Sequence, residues 1–338
     1  MNAIEKYDIL DLTKFISSLM VVAIHTDLFP MVLYPWLRMA VPLFFMISSF
    51  LLFKKINISK KEERINILKK YIFRIAKLYL FWIIVLMPVT IWYRSDWFVN
   101  GFWFALKSIV LGILFYGTIP VSWYFSASII GTLIVYYLTE KIKENRIVLL
   151  ILFSFCGLLC CFSSTYSKLF PDNKLFLIIS NLELYLTFLV SLLYIYIGKL
   201  FADGKMNFIS HKKYGYLSLL FGLLLFFEWR WFYSKTGLYL NDILLCIMPF
   251  SICVFCFIKN IKIKLACSKF IRQFSSFLYP THKIGLIFYS HFINKINLNL
   301  DISKILIFIL TVLTLLLCFV IVKKLENKKY FKFLSNSY

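Results

Sequence analysis

The chain has 338 residues, of which 61% are hydrophobic, 20% aromatic and 16% charged. An ordinary soluble domain carries about a quarter charged residues, and a water-soluble fold of this length could not hide so much apolar surface. Its 38 Lys and Arg outnumber its 16 Asp and Glu, for a formal charge of +22, but they sit in short loops between apolar runs; a nucleic-acid binder gathers its cations on one face or arm, so the charge speaks of membrane topology and anionic lipid.

Ten apolar runs follow one another, at roughly residues 9–29, 32–53, 72–93, 119–139, 147–164, 182–200, 214–233, 240–258, 274–293 and 303–322. Each is near the length that crosses about 30 Å of hydrocarbon at about 1.5 Å per residue. The expected fold is all-α: a polytopic integral membrane protein of about ten transmembrane helices. Asp8 and Asp11 precede the first run and no small-residue cleavage site follows it, so that run is expected to stay as an anchor. An even number of spans puts both termini on one side. Assigning alternate loops to that side gathers 25 of the 38 Lys and Arg there, seven of them in 54–70, against nine opposite, which places both termini in the cytoplasm. No repeat, low-complexity tract or linker divides the chain, so residues 1–338 read as a single domain in the cell inner (plasma) membrane.

Segment 97–116 is apolar and aromatic but contains Asn100, Gly101, Lys107 and Gly112. An eleventh span here would invert every later loop, so it is read as an interfacial or re-entrant helix on the outer face. Seven of the eight cysteines lie within apolar runs and Cys267 in a basic loop. Cys253 and Cys256 form a CxxC without a second pair or nearby histidine, so small apolar packing explains them and no metal is expected.

Inside a bilayer the informative residues are the ionisable ones, which are costly unless they face a cavity or a partner. The first run carries Asp11, Lys14, Ser18 and His25 at spacings of 3, 4 and 7, one helical stripe with an imidazole well above a carboxylate and an amine. The third begins KKYIFRIAKLYLFW, with Lys70, Arg74 and Lys77 on one face. Lys70 reads as a snorkelling anchor, whereas a deeper guanidinium suits a phosphate or carboxylate. The ninth contains FLYPTHKIGLIFYSH, where Pro280 is expected to break the helix beside His282 and Lys283. Toward the outer side lie Asp96, Glu183, Glu228, Arg230, Asp242 and His291, with Trp123 and Tyr124 opening the fourth run. Aromatic rings beside carboxylates suit sugar binding, and an aromatic belt has the same composition.

YDILDLTKFISSLMVVAIHTDLF, then LRMAVPLFFMISSFLLFKK, then KKYIFRIAKLYLFW resembles the opening of the membrane-bound acyltransferase family 3, whose members acetylate or succinylate cell-surface glycans. SWYFSASIIGTLIVYY and SSFLYPTHK look like its tryptophan-led fourth helix and its late histidine segment. The resemblance implies that His25 is catalytic, flanked by Asp11 and Lys14, that Arg74 belongs to an essential basic set, and that Ser48 and Ser49 lie at a small-residue turn. Lys14 stands where many members have arginine, Ser49 where glycine is usual, and Pro280 precedes the late histidine. On this basis Arg74, Lys77, Lys70, Ser48 and His282 are expected to serve the donor, acetyl-CoA or another acyl-CoA, and Glu183, Glu228 and Trp123 the acceptor, a cell-surface glycan or lipid-linked saccharide. The imidazole of His25 would act as general base or take the acyl group covalently. A transporter or flippase for a lipid-linked sugar is the alternative, which internal repeats with paired broken helices would favour. A sensor or scaffold without chemistry leaves the His25 stripe unexplained.

Overall fold

The computed structural model describes residues 7–28, 31–93, 95–99, 101–117, 123–142, 145–206, 210–238, 243–296 and 299–338. Lys6, Arg94, Asn100, Lys143 and Asp242 lie outside the described residues. The described residues hold no strand, so the all-α expectation stands. Ten principal helices occupy the ten apolar runs: α1 (Asp8–Thr26), α2 (Ala40–Asn57), α3 (Lys61–Tyr93), α4 (Trp123–Lys141), α5 (Arg146–Ser164), α6 (Leu189–Ala202), α7 (His211–Thr236), α8 (Ile247–Ile258), α9 (Ser268–Ile293) and α10 (Leu300–Leu325). By length and composition five helical stretches can cross a membrane, or six if Lys174–Leu186 and α6, bent by 48°, form one span. The others are shorter or carry more polar side chains.

Polarity is arranged inside out, as a bilayer requires. α10 turns Leu300, Ile305, Leu313, Leu317 and Ile321 outward, and α3 turns out Phe73, Leu80, Ile84 and Trp92. Asp8, Asp11, Ser17, Ser18, Ser128, Thr132 and His282 are buried. The hub is α6, which packs against α2, α4 and α5. Val190 to Gly198 is buried without interruption, the pattern of a helix that is apolar all round and enclosed by others. Its approach to α2 is made through Gly198, where a Cβ would come within 2.0 Å of Ser49 Oγ and 2.6 Å of the Met46 carbonyl oxygen. The absence of a side chain at Gly198 leaves the room that the Ser49 hydroxyl occupies.

Two expectations shift, at 182–200 and at Pro280. The run 182–200 is not one helix. Glu183 takes a left-handed conformation (φ 43°) and Thr187 an extended one, so α6 begins only at Leu189, with the Thr187 hydroxyl accepting from its backbone N–H at 3.3 Å. The segment 97–116 forms a helix over Phe102–Leu111 and a π turn over Gly112–Tyr116, too short at about 1.5 Å per residue to cross by itself. It exposes Phe102 and Trp103 and is pinned where the Tyr79 hydroxyl donates to the Ile113 carbonyl at 2.8 Å. Pro280 does not end α9, which runs from Ser268 to Ile293.

The ends of the bundle differ in charge. Tyr7 and Asp8 at the start of α1, Lys54 near the end of α2, Phe201 near the end of α6 and the 259–266 loop between α8 and α9 all line one cleft. These are segments that the charge count assigns to a single face. At the other end the Lys304 ammonium meets Asp27 at 3.1 Å, tying the end of α1 to the start of α10.

Candidate functional site

Two helices carry most of the polar interior. α1 and α9 pack along their length, and they meet through polar pairs at three heights. Nearest the basic end, the Leu265 N–H just before α9 donates to Asp8 at 2.9 Å. One turn along α1, Arg272 meets Asp11 at 3.2 Å. Near the far end of α1, the rings of His25 and His282 stack with centroids 5.3 Å apart and planes 25° from parallel.

His282 is set by a bond to its own helix just past Pro280. The two side chains that follow the proline bond back to carbonyls of the preceding turn. Thr281 Oγ1 donates to the Phe277 carbonyl at 2.7 Å, and His282 Nδ1 lies 2.6 Å from the Tyr279 carbonyl oxygen. A carbonyl can only accept, so Nδ1 carries hydrogen and, in the uncharged ring, the lone pair is on Nε2. That Nε2 is buried and has no hydrogen-bond partner among the described residues.

His25 faces the other way. It is exposed, although it lies deep along α1, because it opens onto a cavity of about 480 Å³ whose lining includes Asp27, Tyr34, Arg38, Trp123, Tyr185, Tyr194 and Tyr279. The cavity is built from the end of α1, the start of α4 and the starts of α6 and α8, and so opens at the end opposite the basic cleft. Arg38 donates to the Tyr34 hydroxyl and stacks over its ring at 4.8 Å, which leaves an aromatic wall with a cationic edge.

Asp11 and Lys14 share the stripe of His25 but not its cavity. At about 1.5 Å per residue they sit about 21 Å and about 16 Å below it along the helix axis. Lys14 belongs instead to a polar cluster midway along the seam, where Arg74 and Arg272 are its like-charged neighbours and Asp11 the opposing charge. Beside it, the Tyr71 and Tyr124 hydroxyls share Ser48 as a neighbour, and Tyr124 packs on Tyr279 with centroids 5.2 Å apart. Tyr279 in turn lines the His25 cavity. A chain of polar and aromatic groups therefore links Arg74 and Lys14 to the two histidines.

The remaining expected residues separate. Of the three α3 cations expected to serve the donor, Arg74 couples to this cluster, whereas Lys77 lies over the outward-facing Phe73 ring at 4.9 Å and Lys70 shares a shallow apolar groove with Phe73 and Tyr137. Both are placed as surface anchors rather than beside Lys14. Trp123 lines the His25 cavity. Glu183 lines a neighbouring hollow of about 390 Å³ that shares Tyr185 with it. Glu228 lines neither; its carboxylate accepts from the Leu245 and Cys246 N–H groups at 2.6 and 2.8 Å and from the Tyr166 hydroxyl. It holds the loop that leads into α8. Arg272 was not among the sequence candidates. Its signal was only a basic residue ahead of the ninth run, and nothing in sequence pairs it with Asp11. Among the described residues no group of three or more His, Cys, Asp and Glu is placed to hold a metal.

The profile described as an acyltransferase domain, acyltransferase 3, matches residues 7–323. The chain is also similar to two Enterococcus faecalis proteins, each named amino-acid racemase. One is 34% identical over 146 residues, 39% of this chain and 20% of that protein; the other is 29% identical over 160 residues, 43% of this chain and 20% of that protein. The chain thus spans about a fifth of the length of the curated relatives it matches. No solved structure matches it.

Proposed function

The chain belongs to the acyltransferase 3 family, and from that premise we propose that it moves an acyl group, acetyl or succinyl, from cytoplasmic acyl-CoA to a hydroxyl of a cell-envelope polysaccharide or its lipid-linked precursor, with His25 as the catalytic residue. The observation that carries this reading is the placement of His25, which faces the acceptor-sized cavity on one side and stacks on His282 on the other. The donor enters at the basic end, and its thioester reaches the imidazole along the seam past Arg74 and Lys14.

In this reaction the acceptor oxygen attacks the thioester carbonyl carbon. The new C–O bond forms as the C–S bond breaks, and the imidazole of His25 takes the hydroxyl proton and returns it to the departing thiolate. His282 is a positioning residue here, since its ring is locked through Nδ1 and supports the face of His25. Trp123, Tyr34 and Tyr185 offer ring faces on which a sugar can stack, and Arg38 and Asp27 offer polar contacts to its hydroxyls.

The racemase name of the two relatives describes proteins about four-fifths of whose length has no counterpart in this alignment, so it adds no activity to the reading. The test is the acyl-ester content of envelope glycan in cells carrying His25→Ala, with the protein expressed at wild-type level. Loss of the ester supports the proposal, and undiminished ester removes His25 from the chemistry.

A further inference from the structure

The largest cavity described belongs to the other end of the molecule, and its residues are not those the sequence pointed to. It measures about 1280 Å³ and opens between the start of α1, the ends of α2 and α6, and the 259–266 loop. Four lysines line it: Lys54, Lys259, Lys262 and Lys264. Among the described residues no carboxylate forms a salt bridge with Lys259, Lys262 or Lys264. The Lys54 ammonium donates to the Tyr7 hydroxyl and lies 4.6 Å over its ring, Lys259 lies 4.8 Å over Phe201, and both also approach the ring of Phe50, at 5.8 and 6.0 Å from its centre. Two like charges held at one ring repel each other, and an anion between them relieves that repulsion.

We propose that this cleft seats the nucleotide end of the acyl donor, with its several phosphates among the four lysines and its base in the remaining volume of the cleft. The inference rests on the acyl-CoA reading above and moves the phosphate site from Lys70 and Lys77 to these residues. Two features favour a nucleotide over a lipid headgroup. One lipid phosphate occupies one or two lysines, whereas this cleft offers four around a volume that also admits a base. The cleft also lies at the foot of the α1–α9 seam, since Asp8 in its wall is bonded to Leu265 and the same helices lead past Arg272 and Lys14 to the two histidines. A donor anchored by its phosphates here extends its flexible arm along that seam, about 26 Å in helix rise from Asp8 to His25.

The test uses the full chain purified in neutral detergent and adenosine 3′,5′-bisphosphate as the probe, with binding measured by calorimetry. Lys262 and Lys264 are exposed, so K262E/K264E keeps the fold, and Lys259→Gln serves as a second variant. K262E/K264E is expected to bind the probe about tenfold to a hundredfold more weakly, and His25→Ala to bind it as the wild type does. Undiminished probe binding in both lysine variants overturns the site while leaving the acyl-CoA reading intact. If the wild type binds neither the probe nor CoA itself, the acyl-CoA reading falls and this site falls with it. If the lysine variants lose only their binding to phosphatidylglycerol vesicles and keep the probe, the cleft is a lipid site and the proposal is overturned.

Discussion

α6 and the α1–α9 seam are both buried, and they are buried for opposite reasons. Around α6 the interior is apolar and close-packed, with Gly198 set against Ser49 and the Met46 carbonyl. Along the seam the interior is polar, with Asp8, Asp11, Lys14 and two histidines held by partners or facing open space. Lipid tails are as apolar as leucine, so helices associate in a bilayer through close contact of small residues. Polar groups are costly there and persist only where they serve one another or a ligand. The hub therefore holds the bundle together, and the seam is where the proposed chemistry would lie. Substitutions that separate activity from stability test this division.

The largest separation is expected at His25. His25→Ala lowers kcat by about 10²- to 10⁴-fold, the usual contribution of a general acid–base group, while the melting temperature in detergent stays near that of the wild type. A fall in melting temperature matching the fall in rate would erase the distinction between seam and hub. Gly198→Ala should do the reverse. Its Cβ would press on Ser49 Oγ and the Met46 carbonyl oxygen, at a cost of about 1–3 kcal/mol as overpacking, seen as a lower unfolding midpoint with kcat per folded molecule unchanged.

Between these lies Asp11, polar but far from the imidazole. Asp11→Asn removes a pair in which the carboxylate is buried and the guanidinium of Arg272 is about half exposed. With that exposure discounted, the cost is about 1 kcal/mol. The variant also leaves Lys14, Arg74 and Arg272 without their opposing charge, so KM for the donor should shift more than kcat. Equal changes in both would place Asp11 nearer the chemistry than its helix position allows.

The smallest effect concerns the rim. Burial tends to raise the Asp203 carboxyl, but bonds from Lys199 and Asn57, both at 2.9 Å, and the charge of Lys205 at 3.3 Å outweigh it and hold the group below the usual aspartate range. A depressed carboxyl contributes stability above its unfolded value of about 3.9, and that contribution is lost as pH falls through the native value. The melting temperature of the wild type should exceed that of Asp203→Asn at pH 7, and the gap should close in acid. A gap that fails to narrow as the pH is lowered through the acid range would contradict the assignment.

The architecture was legible because hydropathy reports burial in lipid directly, and each apolar run holds a helix. Boundaries followed less well, as at Glu183, where a left-handed residue and a bend of 48° interrupt what reads as one run. For the site, sequence gave the face of α1 but not the height along it. Asp11, Lys14 and His25 share a stripe, yet the helix rise separates them into an ion pair, a cationic cluster and a cavity wall. Glu228 shows the same limit, since its cost of burial is visible in sequence while the backbone N–H groups that satisfy it are 17 and 18 residues away. Pro280 was legible as a perturbation. That the helix continues, with Thr281 and His282 bonding to its carbonyls, depends on side-chain geometry that the residue order does not contain.

The most direct test of the account is a structure of the protein with a nonhydrolysable thioether analogue of acetyl-CoA bound. The account predicts the thioether sulfur and adjacent carbonyl beside the His25 ring, with the nucleotide at the basic end of the bundle and the arm running past Arg74 and Lys14. An analogue lying outside the helices, or with its acyl end remote from His25, would contradict it.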